Sequence, residues 1–280
     1  MKWRGRRESS NVEDRRGMSG GTLLGGGIGG LILILVFTFL GGDPTDLMNS
    51  LQTTDNNNSG SYEETEQEKE RSEFVSVVLA DTEDVWSEIF RQEGLVYKEP
   101  TLVLYTNSVQ STCGTSSASV GPFYCPGDQK LYIDLSFYDE LQQRFDAPGD
   151  FAMAYVVAHE VGHHVQTLLG TSDKIMPLRQ RLSEEEFNKY LVRFELQADY
   201  LAGVWARHAQ GMGLLEEGDL DEALNAASAV GDDTLQKQAR GYVVPESFTH
   251  GTSEQRKRWF YKGFQSGSLE GGDTFNARDL

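Results

Sequence analysis

Two histidines and a glutamate lie within five residues, in the segment His159-Glu160-Val161-Gly162-His163. In a helix four residues make about one turn, so both imidazoles would project from the same face. Each could then offer one nitrogen to a single Zn²⁺ at about 2.0–2.1 Å. Glu160 lies beside them, where a carboxylate can take a proton from a water that the metal activates. The spacing predicts a zinc hydrolase; the alternative is a pair of histidines that only satisfy core hydrogen bonds.

The residues around this motif, 147–170, are predicted to form one buried helix. Asp150 is suited to the N-cap, and Gly170 to the position that follows the helix. Apolar residues recur at helical spacing as a core-facing stripe: Ala154, Val157, Ala158 and Val161. Gly162 costs about 1 kcal/mol relative to Ala inside a helix, which suggests that another segment packs closely against it.

Two histidines alone do not hold a catalytic zinc well, so a third protein ligand is expected. A third histidine of the metzincin kind would need Gly at 166 and His at 169, and this chain has Gln166 and Leu169. A second helix is predicted after the capping box at Ser183, and it carries Glu195 and Asp199 among apolar residues. Buried carboxylates need compensation. We predict Glu195 as the third ligand and Asp199 as the acceptor for the distal N–H of a ligating histidine; the alternative is a solvated helix face.

The histidine motif followed by Glu195 and Asp199 resembles the gluzincin peptidases. Longer stretches are similar to the bacterial putative neutral zinc metallopeptidase family: residues 2–16, 121–126, 132–137, 159–164, 195–199, 222–227 and 247–253. The resemblance implies a zincin-like fold, a Zn²⁺ cofactor and a peptide or protein substrate. In zincins an edge strand of the sheet pairs with the substrate backbone, and the resemblance assigns this role to the strand at Leu131–Leu135.

Hydrophobic patterns elsewhere predict the elements that position these residues. Helices are predicted over Phe74–Phe90 and Leu220–Val230, and strands over Thr101–Thr106 and Lys130–Leu135. We therefore expect an α+β domain, in which helices stack on a small sheet.

The remaining histidines are candidates for further roles. His250 is predicted to stabilise the oxyanion that develops on the substrate, with a purely structural loop histidine as the alternative and Tyr242, Arg256 and Tyr261 as rivals. His208 is predicted to interact with a helix C-terminus. His164 projects about 100° away from the His163 direction, so it is not expected to be a ligand.

Two other functions stay open at this level. The chain could be a scaffold or interaction protein with a structural zinc, although Glu160 would then have no role. It could also hydrolyse a non-peptide amide, which no sequence feature separates from peptide cleavage.

The N-terminal region predicts a membrane anchor. Residues 17–42 carry no charge and include the apolar run 31–40, long enough for a spanning helix; a cleaved signal peptide or a glycine-rich tail are the alternatives. Residues 1–16 carry six Lys/Arg against three acids, so the positive-inside rule predicts a basic cytoplasmic tail and a domain on the periplasmic or extracellular side. A flexible acidic linker is predicted over 43–72 and a metallopeptidase domain over 73–280.

Cysteines and charge narrow the environment. Cys113 and Cys125 are the only cysteines; paired, they would indicate an oxidising compartment, and the alternatives are reduced thiols or half of a zinc site. Residues after 16 carry 19 basic and 40 acidic side chains, a net charge of −21. That charge disfavours nucleic acids and anionic lipid surfaces as partners.

Overall fold

A mixed four-stranded sheet forms one layer of the computed structural model, which describes residues 1–17 and 62–280. Its strand order is β1-β2-β6-β5, with β1, β2 and β6 parallel and β5 antiparallel to β6. A separate hairpin is formed by β3 and β4. The strands are β1 (Val12–Asp14), β2 (Thr101–Tyr105), β3 (Ser108–Ser111), β4 (Gly114–Ser117), β5 (Phe123–Cys125) and β6 (Lys130–Asp134).

Helices pack on this sheet and on one another, which confirms the predicted α+β class. Within the described ranges the α-helices are α1 (Glu66–Gln92), α2 (Phe137–Gln143), α3 (Asp150–Leu168), α4 (Thr171–Ile175), α5 (Glu184–Gly211), α6 (Asp219–Ala229), α7 (Asp232–Arg240) and α8 (Ser253–Ser266). The middle of α3 is buried on all sides, from Phe151 to Gln166. A helix surrounded in this way holds its side chains in fixed positions, as a metal site requires.

The predicted ends of the two central helices agree with the structure to within a residue. α3 begins at Asp150, with Gly149 rather than Asp150 as the N-cap, and Gly170 follows its end with φ at +73°. The predicted capping box opens α5: the Glu186 N–H donates to Ser183 Oγ, and the Ser183 N–H donates to the Glu186 carboxylate. Local capping therefore fixes where α5 begins.

α3 and α5 approach each other most closely at Gly162. A Cβ atom at this position would lie 2.9 Å from the carbonyl oxygen of Ala198, closer than real Cβ atoms come to other atoms. The prediction that another segment packs against Gly162 is confirmed, and that segment is the helix that carries Glu195.

The prediction that the strand at Leu131–Leu135 is an edge of the sheet is wrong. β6, which contains most of Leu131–Leu135, has β2 on one side and β5 on the other. Among the described residues the two edge strands of the sheet are β1 and β5, and β5 is folded back onto β6 by the turn over residues 126–129.

Residues 1–17 are part of the domain and do not form the separate tail predicted for residues 1–16. Val12, Glu13 and Asp14 pair in parallel with β2, and Met1 and Trp3 are buried. Because neighbours in a sheet cannot be separated by a bilayer, residues 1–17 and 62–280 lie on the same side of any membrane. The predicted topology, in which the N-terminus and the domain lie on opposite sides of a membrane, is therefore wrong. The compartment that contains them both stays a prediction.

Basic residues of this N-terminal segment form ion pairs with α1. Arg6 lies 2.7 Å from the Asp81 carboxylate, and Arg7 lies 3.1 Å from Glu83 and 2.8 Å from Asp84. Two of the positive charges that suggested a cytoplasmic tail thus form ion pairs within the domain.

The predicted anchor over residues 17–42 lies, except for Gly17, outside the described residues, as does most of the predicted linker. The end of that linker is helical, because α1 begins at Glu66. In the ranges that the structure describes, none of the helices is both long and apolar enough to span a membrane.

Candidate metal centre

Three of the predicted site residues converge where α3 and α5 cross. The Glu195 Oε2 atom lies 3.2 Å from His159 Nε2 and 3.3 Å from His163 Nε2. Tetrahedral coordination at about 2.0–2.1 Å places ligand atoms about 3.3–3.4 Å apart, since the edge of a tetrahedron is about 1.6 times its radius. Two imidazole nitrogens and one carboxylate oxygen are also a ligand set that zinc prefers. Two of the three distances between ligand atoms therefore match those of a tetrahedral zinc site, and all three atoms lie within 4.8 Å of one another.

The distal nitrogens of both histidines have acceptors. Asp199 Oδ1 lies 2.8 Å from His159 Nδ1, and Gln166 Oε1 lies 2.8 Å from His163 Nδ1. With each Nδ1–H donating to an oxygen, each Nε2 keeps its lone pair for the metal. Asp199 has the position predicted for it. In the sequence analysis Gln166 was noted only because it stands where a metzincin has glycine, and its role as an acceptor was missed. Its spacing of three residues from His163 was the signal for that role.

Gln166 is itself held by α5. Its Nε2 donates to the Phe194 carbonyl at 2.8 Å and to Gln197 Oε1 at 3.0 Å. The Phe194 ring stacks on His163, with ring centroids 5.0 Å apart. α5 thus carries one predicted ligand, Glu195, and also orients a predicted ligand on α3, His163.

The carboxylates at this crossing favour a bound cation. Burial lowers the pKa of His159, but Asp199 and Glu195 outweigh it and raise that pKa to about 9. Burial raises the pKa of Glu195, and the nearby His163 and His250 outweigh it, so the pKa falls well below its usual range. Both shifts mean that anionic carboxylates and positive charge stabilise one another here.

Glu160 lies on α3 between His159 and His163, the two predicted ligands, and is only 8% exposed. Burial raises the pKa of its carboxyl group, against the opposing influence of His159 and His163. Its carboxylate accepts no hydrogen bond from any residue in the described ranges. A carboxylate with a raised pKa and unused lone pairs is suited to accept and return a proton.

These features agree with what the comparisons with known proteins found. A model of the family described as "Putative neutral zinc metallopeptidase" matches residues 1–275. The chain belongs to this family. The match confirms the resemblance noted from the sequence, and it includes residues 1–17, which the structure places in the domain.

Two curated proteins are similar to this chain over much of its length. "Uncharacterized protein YpfJ" of Escherichia coli (strain K12) is 50% identical over 98% of this chain and 99% of that protein. "Uncharacterized protein Rv2575" of Mycobacterium tuberculosis (strain ATCC 25618 / H37Rv) is 44% identical over 66% of this chain and 65% of that protein. No solved structure matches the chain.

His250 lies on the loop before α8, near enough to Glu195 for the two side chains to influence each other's pKa, and Asp232 holds this loop. One Asp232 oxygen accepts the backbone N–H groups of Thr249, His250 and Gly251 at 2.8, 2.6 and 2.9 Å. The other oxygen lies 3.5 Å from His250 Nδ1, and the imidazole is 48% exposed. His250 is thus placed near the predicted ligands with an exposed edge. Asp232 was missed in the sequence, because it lies 18 residues from the histidine that it contacts.

The rivals of His250 have other surroundings. Arg256 is 4% exposed and directs its guanidinium at Asp199, while Tyr242 and Tyr261 are 60% and 42% exposed. His208 lies in the last turn of α5, as predicted, and its Nε2 is 2.8 Å from the Gly267 carbonyl oxygen.

His164 is fully buried and connects α3 to the edge strand. Its Nε2 donates to the Lys98 carbonyl at 2.6 Å, and its Nδ1 lies 3.0 Å from the Tyr124 hydroxyl on β5. Burial lowers the pKa of His164 to about 4, so the ring is neutral near pH 7. His164, which follows the predicted ligand His163, therefore fixes β5 beside the candidate metal centre.

Cys113 and Cys125 form a disulfide in the structure. It joins the hairpin of β3 and β4 to the last residue of β5, so β5 is held by a covalent bond as well as by His164. The prediction that Cys113 and Cys125 pair with each other is confirmed.

Proposed function

We propose that the protein is a zinc-dependent peptidase in which His159, His163 and Glu195 hold Zn²⁺. The observation that carries the proposal is that Nε2 of His159 and Nε2 of His163 lie 3.2 and 3.3 Å from the same Glu195 oxygen, on the helix that also carries the buried Glu160. Family membership supports the same assignment. A purely structural zinc site would leave the position of Glu160 without a function.

Held by His159, His163 and Glu195, Zn²⁺ would polarise the scissile carbonyl and make a nearby water more acidic. Glu160 takes a proton from the attacking water and passes it to the leaving nitrogen, which its raised pKa favours. His250 donates a hydrogen bond to the oxyanion from its exposed imidazole. Asp199 and Gln166 keep the two histidine ligands in the tautomer that coordination needs.

The proposal includes a place for the substrate backbone along β5. β5 is one of the two edge strands within the described residues, and the hydrogen bond between Tyr124 and His164 anchors it next to His163. Strand addition at such an edge satisfies backbone groups of both chains and brings the scissile bond to a fixed distance from the site. The zincin-like arrangement of sheet edge and metal helix is part of this proposal.

The decisive experiment compares Glu160→Gln with Glu184→Gln, an exposed carboxylate of α5 as the matched control. Zinc content is measured by metal analysis, and cleavage is measured on a peptide library with and without a chelator. We expect about one zinc per chain in all three proteins and loss of cleavage only in Glu160→Gln. Full cleavage by Glu160→Gln, or chelator-insensitive cleavage by the wild type, would refute the proposal.

We also propose that the domain, including residues 1–17, functions in an oxidising compartment outside the cytoplasm. The Cys113–Cys125 disulfide supports this, because such bonds persist mainly in oxidising environments. Attachment to a membrane through residues 17–42 stays a prediction from the sequence.

A further inference from the structure

A buried network lies behind ligand His159, on the side away from Glu195. Its centre is Asp199, whose side chain has no solvent exposure. Oδ1 of Asp199 lies 2.8 Å from His159 Nδ1, accepts the Tyr155 hydroxyl at 2.6 Å and accepts Arg256 Nη2 at 3.0 Å. Oδ2 accepts Arg256 Nε at 2.8 Å. Two residues besides the histidine therefore fix this carboxylate.

Arg256 and Tyr155 come from different elements. Tyr155 lies one turn before His159 on α3, and Arg256 lies in the first turn of α8. Arg256 Nη1 also donates to the Val230 carbonyl at 3.3 Å, which ties it to the end of α6. The position of Asp199 thus depends on α3, α5 and α8 together.

The chemistry of the donors determines what this arrangement does. A guanidinium can only donate, and its planar fork matches both oxygens of one carboxylate. It holds Asp199 in one orientation and compensates a charge that would otherwise be costly to bury. Because Arg256 and Tyr155 both donate to Asp199, the carboxylate stays an acceptor and the His159 Nδ1–H must point to it. The His159 Nε2 lone pair then faces Glu195.

We propose that Arg256 and Tyr155 are positioning residues of the metal centre, which act through Asp199 to hold His159 ready for zinc. This inference rests on the proposed zinc site, and it adds two residues to which neither the family description nor the ligand motif assigns a role. It also explains why a cation lies so close to a cation-binding site: Arg256 stabilises the acceptor, not the metal.

The experiment measures zinc affinity of the full chain by competition with a chromophoric chelator, and unfolding of the zinc-free protein by urea. The variants are Tyr155→Phe, Arg256→Lys and Arg256→Met, with Arg258→Met as control, because Arg258 lies on the same helix but is exposed. Loss of groups that orient a ligand typically weakens metal binding 10- to 100-fold. We expect a loss of that size for Arg256→Met, a smaller loss for Arg256→Lys and Tyr155→Phe, and none for Arg258→Met.

Two outcomes separate this inference from the proposed function. A wild type that binds no zinc refutes the proposed site. A wild type that binds zinc while Tyr155→Phe and Arg256→Lys bind it equally well overturns the inference alone. Should Arg256→Met not fold, Tyr155→Phe still decides, since it removes only one hydroxyl. A variant that destabilises the zinc-free protein but keeps its zinc affinity would reveal a merely structural role, and would equally overturn the inference.

Discussion

Replacing Gly162 with alanine should damage the metal centre without removing any ligand. Gly162 lies between the two ligand histidines, at the point where α3 meets α5. The added methyl group would lie 2.9 Å from the Ala198 carbonyl oxygen and 3.2 Å from its Cα. These are backbone atoms, so no side chain can rotate away to relieve the contact.

The size of the effect follows from that distance. To restore ordinary contact at 3.4 Å or more, α3 and α5 must separate by roughly 0.5 Å, because close-packed interiors have no spare volume. Metal–ligand distances tolerate only about 0.2 Å. His159 and His163 would therefore be displaced from Glu195 by more than zinc coordination allows. Overpacking costs about 1–3 kcal/mol, and alanine in a helix returns up to about 1 kcal/mol, so the net loss of stability is about 0–2 kcal/mol.

The assay pairs zinc affinity from chelator competition with the free energy of unfolding from urea titration. Gly211→Ala is the matched control, because a Cβ at Gly211 has nothing within 4 Å. We expect at least tenfold weaker zinc binding in Gly162→Ala and unchanged binding in Gly211→Ala. The reasoning is refuted if Gly162→Ala keeps wild-type zinc affinity and gains stability as the control does.

Three further predictions address the surroundings of the site. Because the folded-state pKa of His164 is about 4 against an ordinary value of 6.5, the unfolded chain takes up a proton first as the pH falls. Relative to His164→Asn, the wild type should thus lose up to about 3 kcal/mol of unfolding free energy between pH 6.5 and 4, and a pH-independent difference contradicts this. Replacing Cys113 and Cys125 by serine should lower the unfolding free energy by about 2–3 kcal/mol in urea titration, since the bridge closes a short loop; an unchanged value argues against it. Cysteines introduced at the exposed Ser10 and Glu217 should react alike with a membrane-impermeant maleimide on intact cells, and labelling of only one would place them on opposite sides.

The convergence of the three proposed metal ligands could be predicted because the spacing of each pair is local information. Histidines four residues apart share a helix face whatever the rest of the fold is, and so do Glu195 and Asp199. Caps at Ser183 and Gly170 fixed the limits of the two helices for the same reason. That the two faces meet could be expected from chemistry, since neither pair completes a site alone.

Contacts between distant segments could not be predicted in the same way. β5 has only three residues, too few for a period-two pattern to stand out, so its place at the sheet edge was missed. Asp232 has no unusual sequence context, and the only signal for Gln166 was its spacing of three residues from His163. Their roles follow from where α7 and α5 pack, and the sequence does not state this directly.

The N-terminal segment shows how one composition can have two physical meanings. Lys and Arg before an apolar run predict a cytoplasmic tail only if those charges are free to interact with the membrane surface. Here Arg6 and Arg7 are paired with acids of α1 that lie more than 70 residues away, and β1 completes the sheet. The excess of acids after residue 16 was the available signal, because a strongly acidic domain supplies partners for basic residues at its own N-terminus. The charge balance that argued against nucleic acid partners is therefore the same property that stabilises residues 1–17 on the domain.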